Sequence, residues 1–438
     1  MRILIRCQEP KTARDAMDRL AAAGFEARAM PGPPEAFRPA PDGQDVVIIP
    51  AAACDDPAAQ ALAETAWRFE PKPLAVMAAL PYAAPPAPGL KPAANFDATL
   101  ALDSAPRALG RQMKDAIRAA VTREEAARRR ASAEALGMVP PDALAPGRLK
   151  ALYIGGPSRM FLALEDAFTR YGGSLRAAFS SYAGFDHLHD DMFDAVLING
   201  ARDPGTALSL CAALRRNARL HHMPTLLIAP PDDDTVAEAA IERGAAAVVS
   251  ANDEETPSLG WLFEAIRTTR RRVRDEHDLR DLRDLLGDPR TGLFRRKPFE
   301  AHIGRIADEH HQSGRPMSVA VLRVLPAHGA RRPSEETWRK GFAEIATLAG
   351  RLVRDSDSAA AFGQDRIIIA LPGAPLHAAK RAAERVASVA ECTAFASGDD
   401  AAGPLVFEQY ATELNAGESG AALLARALGA FEEEASLA

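Results

Sequence analysis

The chain has 438 residues, 47% apolar and 26% charged, enough for two to four domains that each bury a core. A formal net charge of -6 gives no overall basic field for nucleic acid or anionic lipid, and the four dispersed cysteines (Cys7, Cys54, Cys211, Cys392) show neither zinc-ligand spacing nor a disulfide framework, which suits a reducing cytosol. The N-terminal stretch is too short and too soon charged for a signal peptide, and no apolar run is long enough to span a bilayer, so neither nucleic-acid binding nor membrane insertion is expected.

In chain order, Arg2–Ile5, Asp45–Ile49 and Leu74–Met77 read as short buried strands, with a helical pattern over Thr12–Ala23. A long Ala/Arg/Glu helix over Ala105–Leu136 closes this first unit, and the Pro/Gly-rich Met138–Gly147 reads as a linker. The plan then repeats. Leu149–Ile154, Asp194–Ile198, Thr225–Ile228 and Ala246–Val249 read as strands, alternating with helices over Ser158–Tyr171, Gly205–Asn217 and Asp234–Arg243. The alternation predicts parallel sheets with crossover helices, and the two units resemble tandem receiver domains of response regulators, flavodoxin-like (CheY-like) folds.

Receiver chemistry needs an acidic pair for Mg²⁺, an Asp nucleophile and a Lys. The first unit offers Gln8-Glu9 and Pro50 at the acidic-pair and nucleophile positions; the second offers Gly155-Gly156 and Asn199, with Ser250-Ala251 where the Lys would stand. Neither Pro50 nor Asn199 can form the acyl phosphate, so both units read as pseudo-receivers, whose remaining use is packing, dimerisation or partner binding. A shifted register would leave Asp55 or Asp56 as a displaced acceptor. His187-Leu-His-Asp-Asp191 lacks a second ligand cluster and reads as a surface loop; Arg128–Arg130 and Arg270–Arg272 read as solvated faces, and Glu432–Glu434 as a frayed acidic end.

A helix over Leu262–Leu286 carries Ile266, Val273, Leu279, Leu282 and Leu286 at three- or near-seven-residue steps. This suits a short coiled coil between protomers or a stalk against the third unit. Gly287-Asp-Pro-Arg-Thr-Gly-Leu-Phe-Arg-Arg296 follows. Further on, Arg354-Asp-Ser-Asp357 precedes a predicted hairpin, Gly363-Gln-Asp-Arg-Ile367, and Ala382-Ala-Glu-Arg385 comes after it. These motifs, in this order, resemble the GGDEF family of diguanylate cyclases, an α/β nucleotide-cyclase-like fold. The implied division is 1–137 pseudo-receiver, 138–148 linker, 149–274 second pseudo-receiver, 275–289 helical linker and 290–438 degenerate GGDEF domain.

The resemblance implies catalysis by two Mg²⁺ ions held by one strand Asp and one hairpin acid. Here the strand position is Arg323, a cation where a dication would sit; Gln364 replaces a glycine of the turn, and Arg366 reverses the next acid. Gly363 and Asp365 survive, but Ala327–Ser334 replaces the segment that holds the substrate guanine. No catalysis and no metal are therefore expected. The family's product-binding inhibitory pair is intact as Arg354 and Asp357, and Arg385 matches a second arginine of that site. An arginine fork suits guanine O6 and N7, and a carboxylate accepts from N1–H and N2–H. The expected ligand is cyclic di-GMP, in a non-catalytic receptor that recruits protein partners, with cell-cycle-regulated proteolysis as the implied setting. The protein is expected to be a homodimer in the cytoplasm, with a cell pole as a further implied location. Read without the family, Arg-x-x-Asp is an ordinary solvated ion pair, so a nucleotide-free scaffold stands as one alternative and a residual cyclase as another.

Overall fold

Short runs of Val, Ile, Leu and Ala form the first sheet: β1 (Ile3–Cys7), β2 (Ala27–Pro31), β3 (Val46–Pro50), β4 (Ala75–Leu80) and β5 (Ala98–Ala101). In the computed structural model the described residues are 1–437 except 34–35, 88–94, 143–144, 146, 232, 253–258, 328–332 and 394–404. Residues 143, 144 and 146 of the expected linker, and 328–332 of the segment expected to replace the guanine-holding stretch, thus lie outside the described residues. All strands of the first sheet run parallel in the order β2-β1-β3-β4-β5, the 2-1-3-4-5 order of doubly wound flavodoxin-like sheets. Helices α1 (Pro10–Ala22), α2 (Pro57–Trp67) and α3 (Pro106–Ala135) accompany it.

The second sheet has the same order read from its other edge, β10-β9-β8-β6-β7. Its strands are β6 (Leu149–Ile154), β7 (Gly173–Ala178), β8 (Ala195–Asn199), β9 (Thr225–Ala229) and β10 (Ala247–Ser250). Between and after them lie α4 (Arg159–Arg170), α5 (Ser181–Asp190), α6 (Pro204–Arg216), α7 (Asp234–Glu242) and α8 (Leu259–Leu286). Ser158, Ser180, Asp203 and Asp233 each accept a backbone N–H of the following first turn, which fixes where α4 to α7 begin. Of the expected loop over His187–Asp191, all but Asp191 is instead the end of α5, because Ser180 starts the helix and Leu188 is buried beneath it.

The third set comprises α9 (Arg296–Ser313), β11 (Met317–Pro326), α10 (Glu335–Leu352), β12 (Ser358–Phe362), β13 (Arg366–Pro372), α11 (Leu376–Glu391), β14 (Leu405–Glu413) and α12 (Gly420–Leu437). Its sheet is antiparallel, order β12-β13-β11-β14. Along β11 the faces alternate: Ala320, Leu322 and Val324 pack with Phe342, Ile345 and Val386, whereas Met317, Val319 and Val321 pack with Phe299, Ile303 and Leu423. Each side is therefore covered by two helices. Residues 432–434, expected to fray, continue α12.

Two compact units emerge, residues 1–120 with 145–274 and residues 121–144 with 275–438; α3 and α8 each give their first part to one unit and their last to the other. In the first unit, residues of both parallel sheets share one apolar cluster with Trp261, Phe263 and Ile266. Ile266, Leu279, Leu282 and Leu286 are all buried within the chain's own units, and Val273 alone of that stripe is exposed. The stripe therefore packs internally and offers no apolar seam to a second protomer. Among the described residues, no helix is long and apolar enough to cross a membrane.

Candidate ligand-binding site

Between the last residue of α10 and the first of β12 the chain makes a tight turn. The Asp357 N–H donates to the Arg354 carbonyl at 2.9 Å, and the Arg354 N–H donates to Asp357 Oδ2 at 3.0 Å. An Asp at this place closes a turn on backbone that a helix end leaves unpaired. The two members of the expected pair therefore lie in one turn but differ in exposure. Asp357 is 8% exposed and spends one carboxylate oxygen on the backbone, while the Arg354 guanidinium projects to solvent. Burial pushes the Asp357 carboxyl up to about 6, against the pull of the Arg354 N–H and guanidinium.

The turn rests on α3. Arg129 Nη2 donates to the carbonyls of Asp355 at 2.7 Å and Asp357 at 2.9 Å, and Arg129 Nη1 reaches the Leu279 carbonyl at 3.4 Å. Arg129 Nε bonds Glu125 Oε1 at 2.7 Å, and Arg128 Nη1 bonds Glu125 Oε2 at 2.5 Å. His302 Nε2 lies 3.0 Å from Glu125 Oε1, and its Nδ1 lies 3.1 Å from Ser132 Oγ. The His302 ring stacks on Phe294, and the Arg129 guanidinium lies over the same ring. Burial alone would raise the Glu125 carboxyl, but His302, Arg129 and Arg128 outweigh it and hold the group ionised; burial draws the His302 imidazole down.

Arg128 and Arg129, expected on a solvated face, are 3% and 2% exposed. Their i,i+3 and i,i+4 spacing from Glu125 looks the same in sequence whether the helix face meets water or protein. Arg270 and Arg272 differ likewise: Arg270 bonds Asp194 at 2.6 Å, and Arg272 is buried.

Around the turn lie more cations. A cleft of about 30 Å³, room for one water, is lined by Arg129, Arg280, Arg283, Arg354 and Asp357. A larger ligand would lie across its mouth. Arg385, on α11, donates from Nη2 to the carbonyl of Leu352 at 2.9 Å, two residues before Arg354. The structure thus gathers Arg354, Asp357 and Arg385 at the C-terminal end of α10. Sequence reasoning missed Arg280 and Arg283; their i,i+3 step on the expected stalk helix was the available signal.

The opposite end of β12 carries the hairpin. Gly363 has φ +69°, a conformation that suits glycine, and Trp338 Nε1 donates to the Gln364 carbonyl at 2.8 Å. Arg323 pairs in register with Arg366 on one side and Glu408 on the other. Its Nη1 lies 3.2 Å from Glu408 Oε2 and its Nε 3.8 Å from Asp365 Oδ2, and Arg366 Nε stands 3.8 Å from that same oxygen. Asp365 is thus faced by two guanidiniums. Among the described residues, no group of three or more His, Cys, Asp or Glu could hold a metal ion.

Pro50 and Asn199 end β3 and β8, the central strands of the two parallel sheets. Asn199 Nδ2 donates to the Gly156 carbonyl at 3.1 Å, and its Oδ1 accepts from the Ala201 N–H at 3.1 Å. Gly155 at φ +139° lets the two segments meet, since a Cβ there would stand 2.6 Å from that of Asn199. Asp56 caps α2, accepting from Ala58 and Ala59, and also lines a cleft at the strand ends with Glu9, Pro50 and Asp103.

No protein-family profile matches this chain, and no curated protein matches it. Among solved structures, the GGDEF domain of DgcB from Caulobacter crescentus, in complex with c-di-GMP, is similar at 19% identity, over 34% of this chain and 90% of that one, with a TM-score of 0.31. The FimX GGDEF domain from Pseudomonas aeruginosa is 16% identical over 34% of this chain and 94% of its own, with a TM-score of 0.29. An active GGEEF domain of a diguanylate cyclase from Vibrio cholerae is 14% identical over 32% and 88%, with a TM-score of 0.27. These likenesses span about a third of the chain and assign no role to any residue.

Proposed function

We propose that the protein is a non-catalytic cyclic di-GMP receptor that binds the dinucleotide over the Arg354–Asp357 turn and recruits protein partners. The observation that carries this reading is the exposed Arg354 guanidinium beside a carboxylate fixed by its own backbone, with Arg280, Arg283 and Arg385 close by. A guanidinium fork fits the two acceptors of a guanine edge, and the further cations suit two phosphodiesters. Asp357 would accept guanine N–H donors only when ionised, so ligand binding would displace a proton below about pH 6.

Arg323 supports the non-catalytic half of the reading: a guanidinium lies between Asp365 and Glu408, at the position that the sequence resemblance matches to a metal-holding Asp. The two parallel domains would then be receiver-like modules without phosphoacceptors, given Pro50 and Asn199 at the ends of their central strands. The layout resembles PopA, a cyclic di-GMP effector that moves to the cell pole and helps deliver CtrA, through RcdA, to the ClpXP protease. A cytoplasmic, pole-directed proteolytic adaptor is the role that resemblance implies, and a homodimer its implied state.

Calorimetry with cyclic di-GMP on the full chain and on Arg354→Ala tests the receptor. Saturable binding that the substitution weakens is expected; no binding by the unaltered chain would leave a nucleotide-free scaffold. Pulldown of partners with and without ligand tests the switch, and equal recovery would sink it. Incubation with GTP and Mg²⁺ tests the absence of catalysis, which any turnover abolished by Arg323→Ala would refute.

A further inference from the structure

A second cationic site lies in the unit formed by residues 1–120 and 145–274. Arg107, Arg111 and Lys114 follow one another at i, i+4 and i+7 along α3, so one helix stripe carries three like charges, an arrangement that destabilises a helix unless something else uses it. Arg215 of α6 faces them. Together with His222 and Asp115 they line a cleft of about 520 Å³. Among the described residues, none of Arg107, Arg111, Lys114 and Arg215 has a carboxylate within ion-pair distance, and Asp115 is the one acid of the lining.

Part of this charge has a structural use. Arg111 Nη2 donates to the Ile241 carbonyl at 3.0 Å, and Arg215 Nε and Nη2 donate to the Gly244 carbonyl at 3.2 and 2.5 Å, so both arginines cap the C-terminal end of α7. They converge there: a Cβ on Gly244 would collide with Arg215 Nε and stand 3.1 Å from Arg111 Nη1. A helix C-terminus supplies only about half a negative charge, too little for two guanidiniums, and Arg107 and Lys114 share none of it. His222 is pushed down to about 4, by burial first and then by Arg272, His221 and Arg215.

The cleft adjoins a second cavity, lined by Tyr82, Trp261 and Glu264, with Arg111, Asp115, Arg215 and His222 in the wall common to both. Concavity and half-buried guanidiniums favour a small anion over the acidic surface of a protein, which would pair with exposed side chains alone. We propose that this cleft binds a small molecule carrying two or more phosphate groups, held by Arg107, Arg111, Lys114 and Arg215. The site is separate from the Arg354 turn and does not depend on it.

Titration calorimetry of the full chain at low salt tests this, with inorganic pyrophosphate as the probe and GTP without Mg²⁺ as a second arm. Saturable pyrophosphate binding is expected, weakened at least tenfold by Arg107→Gln with Lys114→Gln, both exposed and safe for folding, and unchanged by Arg354→Ala. Equal affinities for the two probes would mean that phosphate alone is recognised; tenfold tighter GTP would assign the organic part to the adjoining cavity. The proposal falls if pyrophosphate does not bind, or if the double substitution leaves its affinity unchanged. Retention of a poly-Glu peptide without pyrophosphate binding would likewise overturn it, in favour of an acidic protein segment.

Discussion

Strand β12 has an arginine–aspartate pair at each end. At its start, Asp357 bonds the Arg354 backbone and leaves the guanidinium in solvent; at its finish, Asp365 sits 3.8 Å from the guanidiniums of both Arg323 and Arg366. The same two residue types give an available cation in one place and a mutually neutralised cluster in the other. What separates them is the acceptor that the carboxylate finds first. A backbone N–H fixes a carboxylate without consuming a side-chain charge, whereas a second guanidinium cancels it.

The largest effect should come from what supports the first pair. Glu125→Ala would leave Arg129 without a carboxylate in a buried site, while Arg128 keeps Glu124 and Glu309, at a cost of about 3–5 kcal/mol. Urea denaturation should show that loss, and cyclic di-GMP binding should weaken with it, because Arg129 would no longer hold the carbonyls of Asp355 and Asp357. A turn that binds unchanged would separate the support from the site.

Next comes Asp357→Asn. The carboxyl is raised from 3.8 to about 6 on folding, so it contributes stability that is complete below 3.8 and lost as pH rises through 6. The amide escapes that loss while still accepting the Arg354 N–H. Its melting temperature should exceed the parent's at pH 8, by at most about 3 kcal/mol in stability, and match it near pH 3.5. An equal difference at both pH values would deny the shift.

Arg354→Ala should cost about 1–3 kcal/mol of ligand binding, a factor of roughly five to 150, and alter stability by less than about 0.5 kcal/mol. Arg323→Ala is its counterpart, with less than about 1 kcal/mol expected in stability and none in ligand binding. If Arg323→Ala impaired binding as much as Arg354→Ala, the contrast between the two ends of β12 would collapse.

Much of the scaffold was legible in the sequence. Short apolar runs alternating with helical patterns marked the parallel sheets, and Pro50 and Asn199 fall at strand ends as the pattern required. The motif order placed Arg354, Asp357 and Arg385 near one another. Side-chain burial was not legible. Arg128-Arg-Arg130 on an acidic helix is a surface pattern in most contexts, and only tertiary packing around Glu125 and Phe294 makes Arg128 and Arg129 interior. Nor does Arg-x-x-Asp reveal which of its members faces solvent, since that follows from one backbone hydrogen bond.

That interior cluster bears on how the protein can be dissected. A fragment begun at residue 290, where motif boundaries invite a cut, would keep His302 and Ser358 but discard Glu125, Arg128 and Arg129. Such a fragment would bare the underside of the turn it was made to study, and a negative binding result from it would report the missing helix, not the ligand.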